Sequence, residues 1–150
     1  MKSNSANSES ATNDSCRGTI LYKNRAKQLH EFKGLRYKNI TPTDIDGCFE
    51  IADKIFVFFE LKSVGAPFLD GQRIAIERIC DNIQKPTIAI VATHDTLPHD
   101  IVKAAECFVL KAYYKGKWIE STKQCTLKSA IDWFLEKNGF KEWVKETTNG

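Results

Sequence analysis

The sequence lacks any apolar run long enough to cross a bilayer, and its first fifteen residues contain no Leu, Ile, Val or Phe. A membrane-spanning helix needs about 20 apolar residues in a row, and a secretory signal peptide needs an apolar central stretch. We therefore expect a cytoplasmic protein without a membrane partner. Residues 1–16 are rich in Ser and Asn, which predicts a disordered tail followed by a single domain over residues 17–150.

Closely spaced cysteine pairs are also missing. The five cysteines are odd in number and contain no CxxC motif, which argues against a disulfide scaffold or a zinc knuckle. We expect reduced thiols, several of them buried. The hydrophobic fraction of 42% and the charged fraction of 27% are typical of a globular domain with a real core.

The net charge is only +3, but the charges are unevenly distributed. Residues 17–38 carry seven basic side chains against one acidic one, residues 39–110 carry six against eleven, and residues 111–128 carry five lysines against one glutamate. Two basic segments around an acidic one suit a protein that holds a polyanion beside carboxylates. The alternative is that these lysines merely solvate a helix face and a hairpin. The candidate nucleic-acid-binding residues are Arg25, Lys27, Lys111, Lys115 and Lys117.

The order of the hydrophobic patterns predicts an α/β fold with a mixed sheet. A strand, a helix and another strand in succession favour a parallel crossover. The predicted elements are a helix over 19–33, a short strand at 35–40, a hairpin of 45–51 and 55–62, a helix from an N-cap at Asp70 to about 84, a buried strand at 86–92, a second hairpin of 107–114 and 117–120, and a helix capped by Thr126.

The first long hairpin carries the acidic residues of most interest. If residues 52–54 form a three-residue loop, Ile51 pairs with Ile55 and Asp46 lies opposite Glu60. Directly opposed side chains have Cβ atoms about 5 Å apart, and two carboxylates that close repel unless a proton or a cation lies between them. Mg²⁺ binds carboxylate and carbonyl oxygens, so the pattern predicts a divalent-metal site in which Lys62 orients water or offsets phosphate charge.

Two alternatives remain open for this hairpin. A two-residue loop shifts the register by one residue and sends the acids of the two strands to opposite faces. Alternatively, Asp44 and Lys62 form a cross-strand ion pair and Asp46 is an ordinary turn residue. Glu60 argues against this second reading, because it ends the apolar run IFVFFE, where an unpaired carboxylate is costly.

Asp46, thirteen further residues and then Glu60-Leu61-Lys62 resemble the metal-binding signature of the PD-(D/E)XK nuclease superfamily. The predicted order of helix, three-stranded meander, helix and strand over residues 17–95 resembles its restriction-endonuclease-like core, to which a C-terminal hairpin and helix are added. The run PTDIDG…FFELKSVGAP…GQRIAIERI also resembles small bacterial and phage proteins assigned to this superfamily. The PD dipeptide itself is missing, since Thr43 follows Pro42, and Asp44 therefore competes with Asp46 for the motif position.

The resemblance implies specific roles for several residues. Asp46 and Glu60 would bind Mg²⁺ or Mn²⁺ with the Leu61 carbonyl as a third ligand, and Lys62 would position the attacking water. Gln72 matches an active-site Gln of the following helix, against the alternative of an ordinary polar residue near the helix start. Asp44 and Glu31 would be supporting or alternative acids.

The resemblance thus implies a metal-dependent nuclease that hydrolyses phosphodiester bonds of DNA, including branched or single-stranded DNA. The sequence leaves open DNA against RNA, cleavage polarity and a homodimeric state. The alternative function is a non-catalytic module with a nuclease-like fold that binds nucleic acid or a partner protein, as a phage accessory protein would.

Overall fold

The computed structural model describes Phe32 and residues 34–146, which belong to two units divided after Pro42. In the first unit, Tyr37 and Ile40 exchange two backbone hydrogen bonds of 2.9 and 3.0 Å, and Lys38 has a φ of 56°. The short strand predicted at 35–40 is therefore wrong, because the chain turns back on itself within four residues. The predicted tail over 1–16 and, apart from Phe32, the helix predicted over 19–33 lie outside the described residues.

The second unit has an α/β architecture with a five-stranded mixed sheet and three α-helices in its described part. Only two strands precede the first helix there, so the predicted three-stranded meander is not found among the described residues. The elements are β1 (Gly47–Ile51), β2 (Ile55–Ser63), α1 (Asp70–Asn82), β3 (Thr87–His94), a 3₁₀ turn (Ala104–Glu106), β4 (Phe108–Tyr114), β5 (Lys117–Glu120), α2 (Leu127–Lys137) and α3 (Lys141–Glu146).

The strands lie in the sheet in chain order, and their directions follow from the connections. β2 and β3 are parallel because α1 joins them, whereas the other neighbouring strands are antiparallel. The parallel crossover and the second hairpin are therefore confirmed. β3 is buried along Thr87–Ala92 on both faces, as expected for a central strand covered on two sides.

Each face of the sheet packs into its own hydrophobic cluster. Ile76 and Cys80 of α1 pack with Ala89 and Tyr113 on one face. On the other face, the cluster includes Phe134 of α2, which is fully buried. Its remaining buried members are Ile51, Ile55, Val57, Ile88, Ile90, Ala92, Cys107, Leu127 and Leu135.

The helix ends follow the local sequence chemistry. Thr126 caps α2 as predicted, since its hydroxyl accepts a hydrogen bond from the Ser129 N–H at 3.2 Å. The N-cap of α1 is Leu69 rather than Asp70, and no side chain caps this helix. Asp70 instead lies in the first turn, where its charge favours the helix dipole. No helix of residues 34–146 combines the length and apolarity that a membrane crossing requires.

The β1–β2 hairpin fixes the register on which the candidate site depends. Ile51 pairs with Ile55 and Gly47 with Phe59, so the predicted three-residue loop is confirmed and the two-residue alternative is wrong. Ala52 and Asp53 adopt φ angles of 51° and 52°, a left-handed turn that matches the twist of the two strands. Gly47 is required at its position because a Cβ there would overlap the Phe59 ring.

Candidate functional site

The hairpin register brings Asp46 next to the end of β2. Asp46 directly precedes β1, and continuing the pairing by one residue sets it opposite Glu60. Its Oδ2 atom accepts a hydrogen bond of 2.7 Å from the Leu61 N–H. One carboxylate oxygen of Asp46 is thus held against β2, and this hydrogen bond orients the carboxylate as a supporting contact orients a metal ligand.

Glu60 is the most deeply buried carboxylate of the described residues. Its exposed fraction is 2%, and its Oε1 atom has no hydrogen-bond partner among the described residues. The pKa of Glu60 is raised from its ordinary value of 4.5 to about 7, and burial is the largest cause. The negative charge of Asp46, and more weakly that of Asp44, contributes to this rise, and together with burial it outweighs the lowering by Lys62.

Lys62 and Gln72 complete the group from β2 and from the first turn of α1. The Lys62 Nζ atom donates a hydrogen bond of 2.8 Å to Gln72 Oε1 and lies 3.5 Å from Glu60 Oε2. The Gln72 amide in turn donates a hydrogen bond of 3.4 Å to Glu60 Oε2. Gln72 therefore bridges the ammonium group and the carboxylate through its side-chain amide.

Asp44 and Leu61 occupy different places around this group. The alternative ion pair between Asp44 and Lys62 is not formed, since the salt bridge of Lys62 is with Glu60. The Leu61 N–H donates to Asp46 Oδ2. Because the N–H and C=O groups of one strand residue point to the same side of the strand, the Leu61 carbonyl is directed towards the side of Asp46. Glu31 lies outside the described residues.

The predicted nucleic-acid-binding lysines lie at different distances from the site. Lys111 pairs with Val91, which pairs with Glu60, so Lys111 lies in the same row of the sheet as the buried carboxylate. Lys115 lies in the β4–β5 turn and Lys117 directly follows it, about 13 and 10 Å along the strands from that row. Arg25 and Lys27 lie outside the described residues.

An aromatic pair lies beside Lys62, and the sequence analysis did not single out its member Phe68. The Phe68 and Trp118 rings pack edge to face with centroids 5.5 Å apart. The Lys62 Nζ atom is 6.0 Å from the Phe68 centroid. The Trp118 indole N–H donates a hydrogen bond of 2.6 Å to Glu77 of α1. Phe68 lies in the loop between β2 and α1, where no regular hydrophobic pattern indicates what it packs against. Its position beside Trp118 becomes evident only when the order of the strands is known.

Tyr113 and Tyr114 of the second hairpin are core contacts rather than free stacking surfaces. Tyr113 is buried, and its hydroxyl donates to the Asp81 carboxylate at 3.0 Å. The Tyr114 ring packs edge to face on Phe134 with centroids 5.9 Å apart. These rings stabilise the sheet faces, and base stacking on Tyr113 is not compatible with its burial.

The site offers two carboxylates and one carbonyl to a cation. Over the described ranges, no set of three or more His, Cys, Asp or Glu side chains is arranged to hold a metal ion. Any metal here would therefore be held by few protein ligands.

Comparison of the chain with protein-family models, with curated proteins and with solved structures finds no match.

Proposed function

We propose that this chain is a divalent-metal-dependent nuclease that hydrolyses phosphodiester bonds of DNA. The observation that carries the proposal is the buried Glu60 carboxylate, whose Oε1 atom lacks a partner among the described residues while Asp46 lies across the hairpin. A buried carboxylate oxygen without a hydrogen bond is costly. A cation in the space between Glu60 and Asp46 would explain why this buried carboxylate lies beside a second acid.

The donor set fits a hard cation such as Mg²⁺ or Mn²⁺. Asp46 and Glu60 supply carboxylate oxygens and Leu61 supplies a backbone carbonyl, which are the oxygen ligands that Mg²⁺ prefers. Mg²⁺ usually keeps several waters and uses only one or two protein carboxylates, so a small ligand set is sufficient. When bound, the cation would supply Lewis-acid chemistry and activate water for attack on a phosphodiester.

The protein side chains would position the reactants. Lys62 has its ammonium group fixed by Gln72 at 2.8 Å and by Glu60 at 3.5 Å, so it can donate a further hydrogen bond to a phosphate oxygen or to the attacking water. A cation between the carboxylates would weaken the attraction of Glu60 for Lys62 and leave the ammonium group available to substrate. Gln72 would keep Lys62 oriented throughout.

The accessibility of the site supports a polymeric substrate. Three cavities of about 560, 820 and 480 Å³ are lined by other residues and include neither Asp46 nor Lys62. Asp46 is exposed at the start of β1. Among the described residues β1 is an edge strand, which leaves room for a long strand, whereas small ligands are usually enclosed in a pocket.

The test is cleavage of supercoiled plasmid and of branched DNA with Mg²⁺ or Mn²⁺. We expect cleavage by the wild-type chain and its loss in Asp46→Asn and Lys62→Met. Asp53→Asn is the matched control, because Asp53 lies in the loop at the other end of the same hairpin and Asn tolerates its positive φ of 52°. Equal activity of Asp46→Asn and Asp53→Asn would refute the proposal.

A non-catalytic module that binds nucleic acid or a partner protein is the second candidate function. It is favoured by the Glu60–Lys62 salt bridge and by the missing three-residue metal group in the described part of the chain. An acid neutralised by its own lysine needs no cation. Binding of DNA without cleavage under every divalent metal would select this candidate, and stable capture of a single protein without DNA affinity would select its protein-binding form.

A further inference from the structure

Lys111 is a half-buried lysine, and no acid in the described part of the chain forms an ion pair with it. Its Nζ atom lies 5.2 Å from the Phe68 centroid and 5.0 Å from the Trp118 centroid. Glu120 is its cross-strand neighbour on β5, yet the described residues contain no ion pair between them. The ammonium group is therefore held over two aromatic faces, which attract a cation without neutralising it.

The aromatic surface under Lys111 is itself held in place by α1. The Trp118 indole donates to Glu77 Oε1 at 2.6 Å, and Arg73 donates to the same oxygen at 2.7 Å. Glu77 is thus already engaged by a cation and by the indole. Glu77 therefore does not neutralise the charge of Lys111. The fixed Trp118 indole restricts where the Lys111 side chain can lie.

Phe68 links Lys111 to the proposed catalytic group. The Lys62 and Lys111 nitrogens lie 6.0 and 5.2 Å from the same Phe68 centroid, so their separation is smaller than those two distances combined. Successive phosphates of one nucleic-acid strand follow at about 3.4 Å along the helix axis. A strand whose scissile phosphate lies at Lys62 therefore has another phosphate within reach of Lys111, about three nucleotides away or fewer.

We propose that Lys111, held against Phe68 and Trp118, binds a neighbouring phosphate of the same DNA strand and so positions the scissile phosphate at Asp46, Glu60 and Lys62. This inference rests on the proposed function and adds to it the direction in which the substrate strand runs. The substrate strand would cross the sheet from β2 towards β4 over the loop that carries Phe68. Lys111 is a positioning residue and takes no part in the chemical step.

The first test measures DNA binding as a function of salt concentration in EDTA, where no metal-dependent cleavage occurs. Lys111→Met removes the charge but keeps an aliphatic chain that can cover the aromatic rings. We expect the slope of log affinity against log salt to fall in magnitude by about 0.7–0.9 and affinity to fall about tenfold. Lys111→Arg should retain both values, and unchanged thermal unfolding would show that the fold is intact.

The matched control is Lys54→Met, which removes one exposed lysine from the loop at the far end of the β1–β2 hairpin. It should leave affinity and salt slope near the wild-type values. If Lys111→Met behaves like the wild type, or if both variants lose affinity equally, the role of Lys111 is refuted while DNA cleavage can stand. If the wild-type chain neither binds nor cleaves DNA, the proposed function fails and this inference fails with it.

A second readout separates positioning from chemistry. In steady-state cleavage, Lys111→Met should raise KM about tenfold with little change in kcat, because it removes a contact made equally in the ground and transition states. A loss in kcat alone, with KM and salt slope unchanged, would contradict a phosphate-binding role.

Discussion

Replacing Glu60 by Gln should stabilise the metal-free protein at neutral and alkaline pH. Gln keeps the size of the side chain but cannot ionise. Burial raises the pKa of Glu60 from 4.5 to about 7, so the folded state holds this proton more tightly than the unfolded state. The contribution of Glu60 to stability is therefore complete below about pH 4.5 and is lost as the pH rises through about 7.

The size of the effect follows from that difference in pKa. One pH unit corresponds to 1.36 kcal/mol, so the change in the pKa of Glu60 amounts to about 3 kcal/mol between acidic and alkaline conditions. Glu60 is only 2% exposed, and solvent screening therefore reduces this figure little. The stability advantage of Glu60→Gln over the wild type should grow by about this amount as the pH rises.

Urea unfolding in EDTA, measured from acidic to alkaline pH, checks this prediction. The difference in the free energy of unfolding between Glu60→Gln and the wild type isolates the effect of Glu60, because the other carboxylates are present in both proteins. Glu120→Gln, at the exposed end of β5, is the matched control for the removal of a surface carboxylate. A Glu60→Gln difference that is constant with pH, or that shrinks as the pH rises, would refute the reasoning about the buried carboxylate.

Further predictions concern the fold around the site. Thr126→Ala should lower the free energy of unfolding by about 1 kcal/mol, because it removes the cap of α2; an unchanged urea midpoint would contradict this. Gly47→Ala should cost about 1–3 kcal/mol, because its Cβ would displace the Phe59 ring, and an unaltered unfolding curve would count against that packing. Burial, and to a smaller extent the charge of Asp81, raises the pKa of Cys80 to about 12. Cys80 should therefore react with a thiol reagent only on unfolding, whereas the exposed Cys48 should react in the native state. Rapid labelling of both cysteines would argue against the packing of α1.

The register of the hairpin could be predicted because it depends only on local geometry. Once Ile51 pairs with Ile55, the strict two-residue alternation of side chains determines that Asp46 lies opposite Glu60. The cap at Thr126 could be predicted for the same reason, because it depends only on residues close to it in the chain. The role of Gln72 came only from the family resemblance and stays a prediction, although its amide does contact Lys62 and Glu60.

The sequence could not predict what depends on the order of strands and on irregular loops. Phe68 and Lys111 are far apart in the chain and meet only because β4 lies beside β3 in the sheet. Lys115 lies in the same basic segment, yet it lies in the β4–β5 turn, about 13 Å along the strand from Lys111. The strand predicted at 35–40 was wrong because a left-handed Lys38 closes a turn that apolar alternation alone does not reveal.

The PD-(D/E)XK assignment and the metal-dependent activity remain predictions, and both depend on one physical claim. The claim is that Asp46 and Glu60 share a divalent cation. The most direct measurement is a crystal soaked in Mn²⁺ and examined for anomalous density. The account predicts a peak bound by both carboxylates with the Leu61 carbonyl beside it. Density confined to other surface acids, or an intact Glu60–Lys62 salt bridge with no peak at saturating Mn²⁺, would contradict it.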